Sequence, residues 1–316
     1  MKIKEHFSSE EIQQFCRRSD LLGWTAVATN WAIIGFAFVL VARWPNPFTI
    51  VLAMILLGGR HLGLGVLMHE CGHGTLFRSK TLNRFVGSWL CAAPVMYRLD
   101  DYMSNHLSHH SKAGTNADPD LYRYQHYPVE KKSLQRKLLR DVSGQTSLNF
   151  LKTSLERNQV ITTSEEGKRI LDYQQLFSCF YAPIIMNSLL FLLLMWFGFA
   201  ELYLLWLAAY FSVYMVFSRI RNLAEHACVP DLLDPDPMLH TRTMVVSWWE
   251  RLTFAPNCVN YHLEHHLLPS VPKYRLASFH AALKGKGLLA NADIESGYLA
   301  FIRKLIIEPQ SACTTD

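Results

Sequence analysis

Residues 177–200 read FSCFYAPIIMNSLLFLLLMWFGFA, a run without a single Asp, Glu, Lys or Arg. A helix rises 1.5 Å per residue, so roughly 20 apolar residues cross a hydrocarbon core of about 30 Å. The run therefore predicts a membrane-spanning helix. Three more stretches fit the same requirement: residues 24–42, residues 48–68 (apolar except for Arg60 and His61), and the shorter, aromatic-rich residues 203–217. Residues 85–97 are too short to span and read as interfacial or re-entrant. Arg60 reads equally as a snorkelling residue or as a buried functional one.

Composition agrees with membrane insertion. Half of the 316 residues are hydrophobic, and they come in blocks. The net charge of +5 is modest and forms no single basic patch, so nucleic acid is not an expected partner. Seven cysteines show no CxxC spacing, which predicts free thiols facing a reducing compartment. The polar residues 1–20 show no cleavable signal.

The links at residues 43–47 and around Glu201 are short. Most Lys and Arg lie instead in the N-terminus, in residues 98–175 and after residue 218. The bias of positive charge toward the cytoplasm then predicts two helical hairpins with both termini inside. The expected architecture is an all-α integral membrane protein. It has an N-terminal segment (1–23), a main domain (24–285) whose cytoplasmic cap comprises 98–175 and 218–285, and a cytoplasmic tail (286–316). A bacterial inner membrane is the expected location. Tyr274–Leu288 and Gly297–Ile307 read as amphipathic helices, and Glu308–Asp316 as a frayed end. Lys131, Lys132, Arg136, Lys137, Arg140, Lys152 and Arg157 suit a solvated helix near anionic headgroups, or a dock for an acidic electron donor.

Three histidine clusters carry the chemistry: His69-Glu70-Cys71-Gly72-His73, His106-Leu107-Ser108-His109-His110 and His262-Leu263-Glu264-His265-His266. Residues three and four apart share a helical face, so each cluster is expected to aim its rings at one point. Eight imidazoles exceed the needs of one ion, and two metals in one cage is the simplest reading. Imidazole suits iron, copper, nickel and zinc. Beyond the fourth span, Asn222 and His226 are four apart and share a face. Glu70, Glu225 and Glu264 each flank a cluster histidine, and a carboxylate is the usual acceptor for the second N–H of a metal-bound imidazole. His6, His61, His126, His240 and His280 read as ordinary residues. Residues 69–73 also spell HExxH, with Glu70 as general base of an intramembrane zinc protease. That alternative leaves most of the histidines unused. A non-catalytic metal-binding membrane protein is the other reading outside redox chemistry.

The motifs and their context, from Met68 to Gly74 and from Asn260 to Pro269, resemble the membrane fatty acid desaturase family over roughly residues 30–285. That resemblance implies four transmembrane helices under a cytoplasmic cap, and a di-iron centre held by nine histidines plus an asparagine-held water. His226 would be the ninth histidine and Asn222 the asparagine. It further implies a dioxygen-dependent removal of two hydrogens from an acyl chain, presented as acyl-CoA, acyl-carrier protein or glycerolipid in an apolar tunnel. No His-Pro-Gly-Gly haem motif is present, so electrons would come from a separate ferredoxin or a cytochrome b-type donor with its reductase. Asp118 and Asp120 lie in a stretch similar to the family's and are expected to be structural or headgroup-proximal. Within the superfamily, a hydroxylase or ketolase acting on a carotenoid, sterol or other lipid stays open, as does a desaturase of a small amino-acid-derived substrate.

Overall fold

The computed structural model describes residues 1–163 and 167–307. The expectation for Glu308–Asp316 lies outside the described residues. A short helix α1 (Ser9–Phe15) opens on a capping box between Ser8 and Glu11. It precedes α2 (Asp20–Arg43) and α3 (Pro47–Gly72). Asn46 caps the first amides of α3, and Pro47 stands where its missing N–H costs nothing. Helix α4 (Lys80–Phe85) continues into a π-helical turn over residues 86–92. Val86, Cys91 and Ala92 of that turn are buried beside Cys71, so this part of the stretch expected to be interfacial or re-entrant packs into the core.

Helix α5 (Leu99–Lys112), α6 (Lys131–Val142) and α7 (Gln145–Arg157) follow. An antiparallel ribbon of β1 (Ile161–Thr163) and β2 (Arg169–Leu171) leads to α8 (Tyr173–Trp196). Helix α8 starts and stops four residues before the expected span: Asp172 caps its first turn, and Gly198 turns into the left-handed region (φ 81°) just past its end. Helix α9 (Leu202–Phe211) breaks at Ser212 and resumes as α10 (Val213–His226). Then come α11 (Pro237–His240), β3 (Thr243–Val245), α12 (His262–Leu267), α13 (Lys273–Gly285), β4 (Ile294–Ser296) and α14 (Tyr298–Phe301). Strand β3 pairs with β4 in parallel, Thr243 opposite Ile294.

Four helical stretches are long and apolar enough to cross a membrane: Ser9–Arg43, Pro47–Gly72, Tyr173–Trp196 and Leu202–His226. Their outer faces explain why. Phe177, Ile184, Leu189, Leu192, Leu193 and Trp196 of α8 are all exposed, a patch no water-soluble surface sustains.

Two buried polar residues lock α3 in place. A Cβ on Gly59 would lie 2.0 Å from the Leu252 carbonyl oxygen, so only glycine lets that loop touch the helix. The neighbouring Arg60 guanidinium donates to Leu252 O (2.9 Å) and Arg251 O (3.2 Å). Arg60 is thus a staple between α3 and the 250–258 loop, with no snorkelling role. His61 is fully buried against Trp206, ring centroids 3.9 Å apart, and stays off the histidine face.

The segment set apart above as a tail packs inward. Tyr298, Phe301 and Leu305 join the same core as Ala53 and Leu57. The single amphipathic helix expected over Gly297–Ile307 is instead α14 plus one 3-10 turn.

Candidate metal centre

Helix α3 carries His69 and ends at His73; α5 carries His106, His109 and His110; α10 ends on His226; α12 carries His262, His265 and His266. The fold brings all nine together in two adjoining sets. One holds His69, His73, His106, His110 and His265, the other His109, His226, His262 and His266. The sets meet where the His110 and His266 rings lie 4.4 Å apart.

The division corrects the expectation that each cluster aims at one point. Consecutive helical residues are about 100° apart, so the His109-His110 and His265-His266 doublets diverge. Pairs four apart stay together (His106 with His110, His262 with His266), while His109 and His265 cross to the other set.

Within the sets the Nε2 atoms face one another. The separations are 3.0 Å for His69–His265, 2.9 Å for His265–His110, 3.0 Å for His110–His106 and 2.9 Å for His106–His73. In the second set they are 2.8 Å for His226–His262 and 3.1 Å for His262–His266. Imidazoles bound at right angles to one ion about 2.1 Å away would stand about 3.0 Å apart. Converging lone pairs without protons between them need a cation, so the donor set fits two metal ions.

The rings are held neutral, as ligation requires. Burial pushes His106, His262, His265 and His266 well below the usual histidine range, and the neighbouring imidazoles add to it. The same causes lower His73 to about 3 and His110 to about 2. An unfolded histidine titrates near about 6.5. Above that pH neither state takes up protons at these sites. Below it the unfolded chain gains protons that the folded one refuses, so stability and metal retention fall together as pH drops from about 6.5 toward about 3. Metal retention measured against pH should therefore be flat at neutrality and collapse in acid.

Acceptors behind the rings fix which nitrogen carries the proton. His109 Nδ1–H donates to Asp118 Oδ1 (2.9 Å), and His226 Nδ1–H donates to the carbonyl of His240 (3.1 Å). Burial alone would raise the Asp118 carboxyl, but hydrogen bonds from His109, Tyr124 and the Asp120 amide hold it below its ordinary value. Glu70 Oε1 stands 3.4 Å from His69 Nδ1, and Glu225 Oε1 3.6 Å from His262 Nδ1.

Glu264, His240 and His280 depart from expectation here. Glu264 does not support a cluster histidine: it accepts from Thr243 Oγ1 (2.6 Å) and His280 Nδ1 (2.5 Å), tying α12 to β3 and α13. Asp118, expected to be structural or headgroup-proximal, is the carboxylate behind His109. His240 and His280, taken as ordinary, supply a carbonyl and a ring partner to this framework.

A cavity of about 650 Å³ opens onto both sets, reaching His69 and His106 of one and His109, His226 and His262 of the other. Asn222 lines it beside them. Glu70 does not serve the role HExxH would give it. Its carboxylate sits behind His69 and accepts from Thr75 Oγ1 (2.9 Å) and the Lys273 amide (2.8 Å), so no general base stands over an open metal position.

The family model described as "Fatty acid desaturase" matches residues 42–292. The chain belongs to the fatty acid desaturase family. Dihydrorhizobitoxine desaturase of Bradyrhizobium elkanii is 29% identical over 272 residues, covering 82% of this chain and 74% of that protein. An sn-1 acyl-lipid omega-3 desaturase (ferredoxin) of Synechocystis sp. is 29% identical over 109 residues, covering 34% of this chain and 30% of its own. A Delta(12) fatty acid desaturase of Mortierella alpina is 35% identical over 104 residues, 31% of this chain and 26% of that one.

For this desaturase-family chain, Asp118→Asn tests the outer acceptor. Loss of the carboxylate should weaken metal retention or activity by about 10- to 100-fold, chiefly through His109. Metal titration of the purified variant reads it, and wild-type affinity would remove Asp118 from the centre.

Proposed function

We propose that this chain is a membrane-bound, di-iron, dioxygen-dependent desaturase that introduces a carbon–carbon double bond into a saturated aliphatic segment. The observation that carries the reading is the nine imidazoles in two adjoining sets, both open to one cavity. His69, His73, His106, His110 and His265 would hold one iron ion, and His109, His226, His262 and His266 the other, with Asn222 holding a water. Bound iron supplies the power to activate dioxygen and remove hydrogen from an unactivated methylene, which no side chain can do by acid–base chemistry. The chain's own residues supply position. Leu62, Val66, Met68, Met215, Leu223 and Val259 give the cavity an apolar wall beside the imidazoles, where an aliphatic segment is held away from water.

An acyl chain carried by acyl-CoA, acyl-carrier protein or a glycerolipid is the leading substrate, in line with the names of the Synechocystis and Mortierella relatives. A small amino-acid-derived substrate is the second reading, favoured by the Bradyrhizobium relative, which aligns over most of both chains. The proposed topology is two hairpins with the metal sets on the cytoplasmic side of a bacterial inner membrane. Electrons would come from a separate ferredoxin or cytochrome b-type donor.

The test is metal analysis of protein made in iron-supplemented medium, because zinc outcompetes ferrous iron at nitrogen sites. It is combined with product analysis after feeding labelled substrates. About two irons per chain, one for each imidazole set, with a new double bond, supports the reading. One tightly held zinc would sink the di-iron centre. A hydroxylated product with no double bond would sink desaturation.

A further inference from the structure

A second cavity, of about 10 Å³, borders the first imidazole set, between His69, Glu70, Arg221, Cys258, Tyr261 and His265. That is about the free space one water molecule needs. The backbone beside it is sharply bent. Asn257 and Cys258 are consecutive residues in the left-handed region (φ 56° and 64°). Two side-chain bonds clamp the bend. Asn257 Nδ2 donates to the Gly63 carbonyl of α3 (2.9 Å), and Lys273 Nζ donates to Asn257 Oδ1 (2.7 Å). The loop is thereby held against α3 with a polar-lined gap between them.

His265 gives the gap a purpose. Among the cage imidazoles it alone has a buried outer nitrogen, Nδ1, with no partner among the described residues. The residue is 4% exposed, and its Nε2 faces those of His69 and His110, so the ring proton belongs on Nδ1. A buried N–H without an acceptor is costly, and folded proteins nearly always supply one. Protein oxygens stand behind His69, His109, His226 and His262, but none stands behind His265.

Glu70, on the same cavity wall, has capacity to spare. Its Oε2 accepts from Thr75 Oγ1 (2.9 Å) and the Lys273 amide (2.8 Å), whereas Oε1 faces only His69 Nδ1, at 3.4 Å. A carboxylate oxygen has two lone pairs to offer.

We propose that this cavity is a binding site for one ordered water, which accepts from His265 Nδ1–H and donates to Glu70 Oε1. Buried waters make about three hydrogen bonds, and the Arg221 guanidinium is a further donor on the wall. One carboxylate of α3 then serves two ligands, His69 directly and His265 of α12 through the water. The proposal rests on the two-ion reading only for the place of the His265 proton.

The experiment is a structure of the full, iron-loaded chain in nanodiscs at a resolution that shows ordered water. Density within about 3.2 Å of both His265 Nδ1 and Glu70 Oε1 upholds the site. An empty cavity, or a water that misses either atom, overturns it. Metal titration of two variants reads the consequence. Cys258→Leu fills the gap with apolar atoms and strands the His265 N–H, so first-set affinity should fall about 10- to 100-fold while the second set keeps its own. Cys258→Ser preserves the volume and should leave both sets as they are. Undiminished first-set affinity in Cys258→Leu, or equal loss from both sets, counts against the water. Should Cys258→Leu fail to fold, the density in the native protein decides. Ions are counted in the same sample. Two ions beside an empty cavity sink this proposal alone, whereas the water in place beside fewer than two ions upholds it and sinks the two-ion reading.

Discussion

Replacing His265 with Ala should lower bound metal from about two ions per chain, one for each imidazole set, to about one, and should take turnover to background. The reason is its place in the first set. Its Nε2 lies 3.0 Å from that of His69 and 2.9 Å from that of His110, joining a ligand of α3 to a ligand of α5 across α12. Without it, His69 and His110 keep buried lone pairs with a missing member between them. The second set contains none of these residues, so its ion should stay. Metal analysis of the membrane-inserted variant is the decisive reading, with His126→Ala as a control at an exposed histidine. Two irons and full activity in His265→Ala would mean that the imidazoles are not the cage. Loss of both irons would mean that the sets do not load independently.

The parts of this fold that were legible in the sequence are those that a solvent imposes. Hydrocarbon must be met by about 20 apolar residues, so residues 177–200 and their counterparts announce helices by composition alone. Histidine pairs four apart are similarly plain, because helix geometry keeps them on one face. What was misread follows from the same geometry. A residue adjacent to a ligand points about 100° away from it, so adjacency alone does not name the acceptor behind a ring: Glu70 stands behind its neighbour His69, but Glu264 does not stand behind His265. Glu264 accordingly turns from His265 to His280. The acceptor of His109 comes instead from nine residues downstream, through a turn in which Gly114 (φ 76°) packs against the carbonyl of Asp234. No local pattern encodes that contact. The burial of Tyr298, Phe301 and Leu305 depends likewise on the pairing of β3 with β4, about 50 residues apart, which periodicity does not register.

Arg242 is the other residue whose loss should be severe, and that loss should lower stability and metal retention together. It is fully buried, and its guanidinium donates to the carbonyls of Ala224 (2.9 Å), Ala227 (2.9 Å) and Cys228 (2.8 Å). It also pairs with Asp293 at 2.6 Å and lies 4.5 Å over the Phe301 ring. Helix α10 ends on His226, where the last carbonyls have no partner within the helix and the dipole favours a cation. Arg242 satisfies that end and so fixes the residue that joins the second set. Arg242→Met strands three carbonyls and the Asp293 carboxylate, which should cost about 3–5 kcal/mol. Chemical denaturation of the detergent-solubilised protein measures that loss, and metal analysis should show the second-set ion released first. Arg242→Lys keeps the charge without the planar fork and should fall between. The two large losses are then distinguishable. His265→Ala should empty one set in a chain that still folds, whereas Arg242→Met should loosen α10 and lose metal as a consequence. An Arg242→Met variant with wild-type stability and both irons would show that α10 is held by its packing alone.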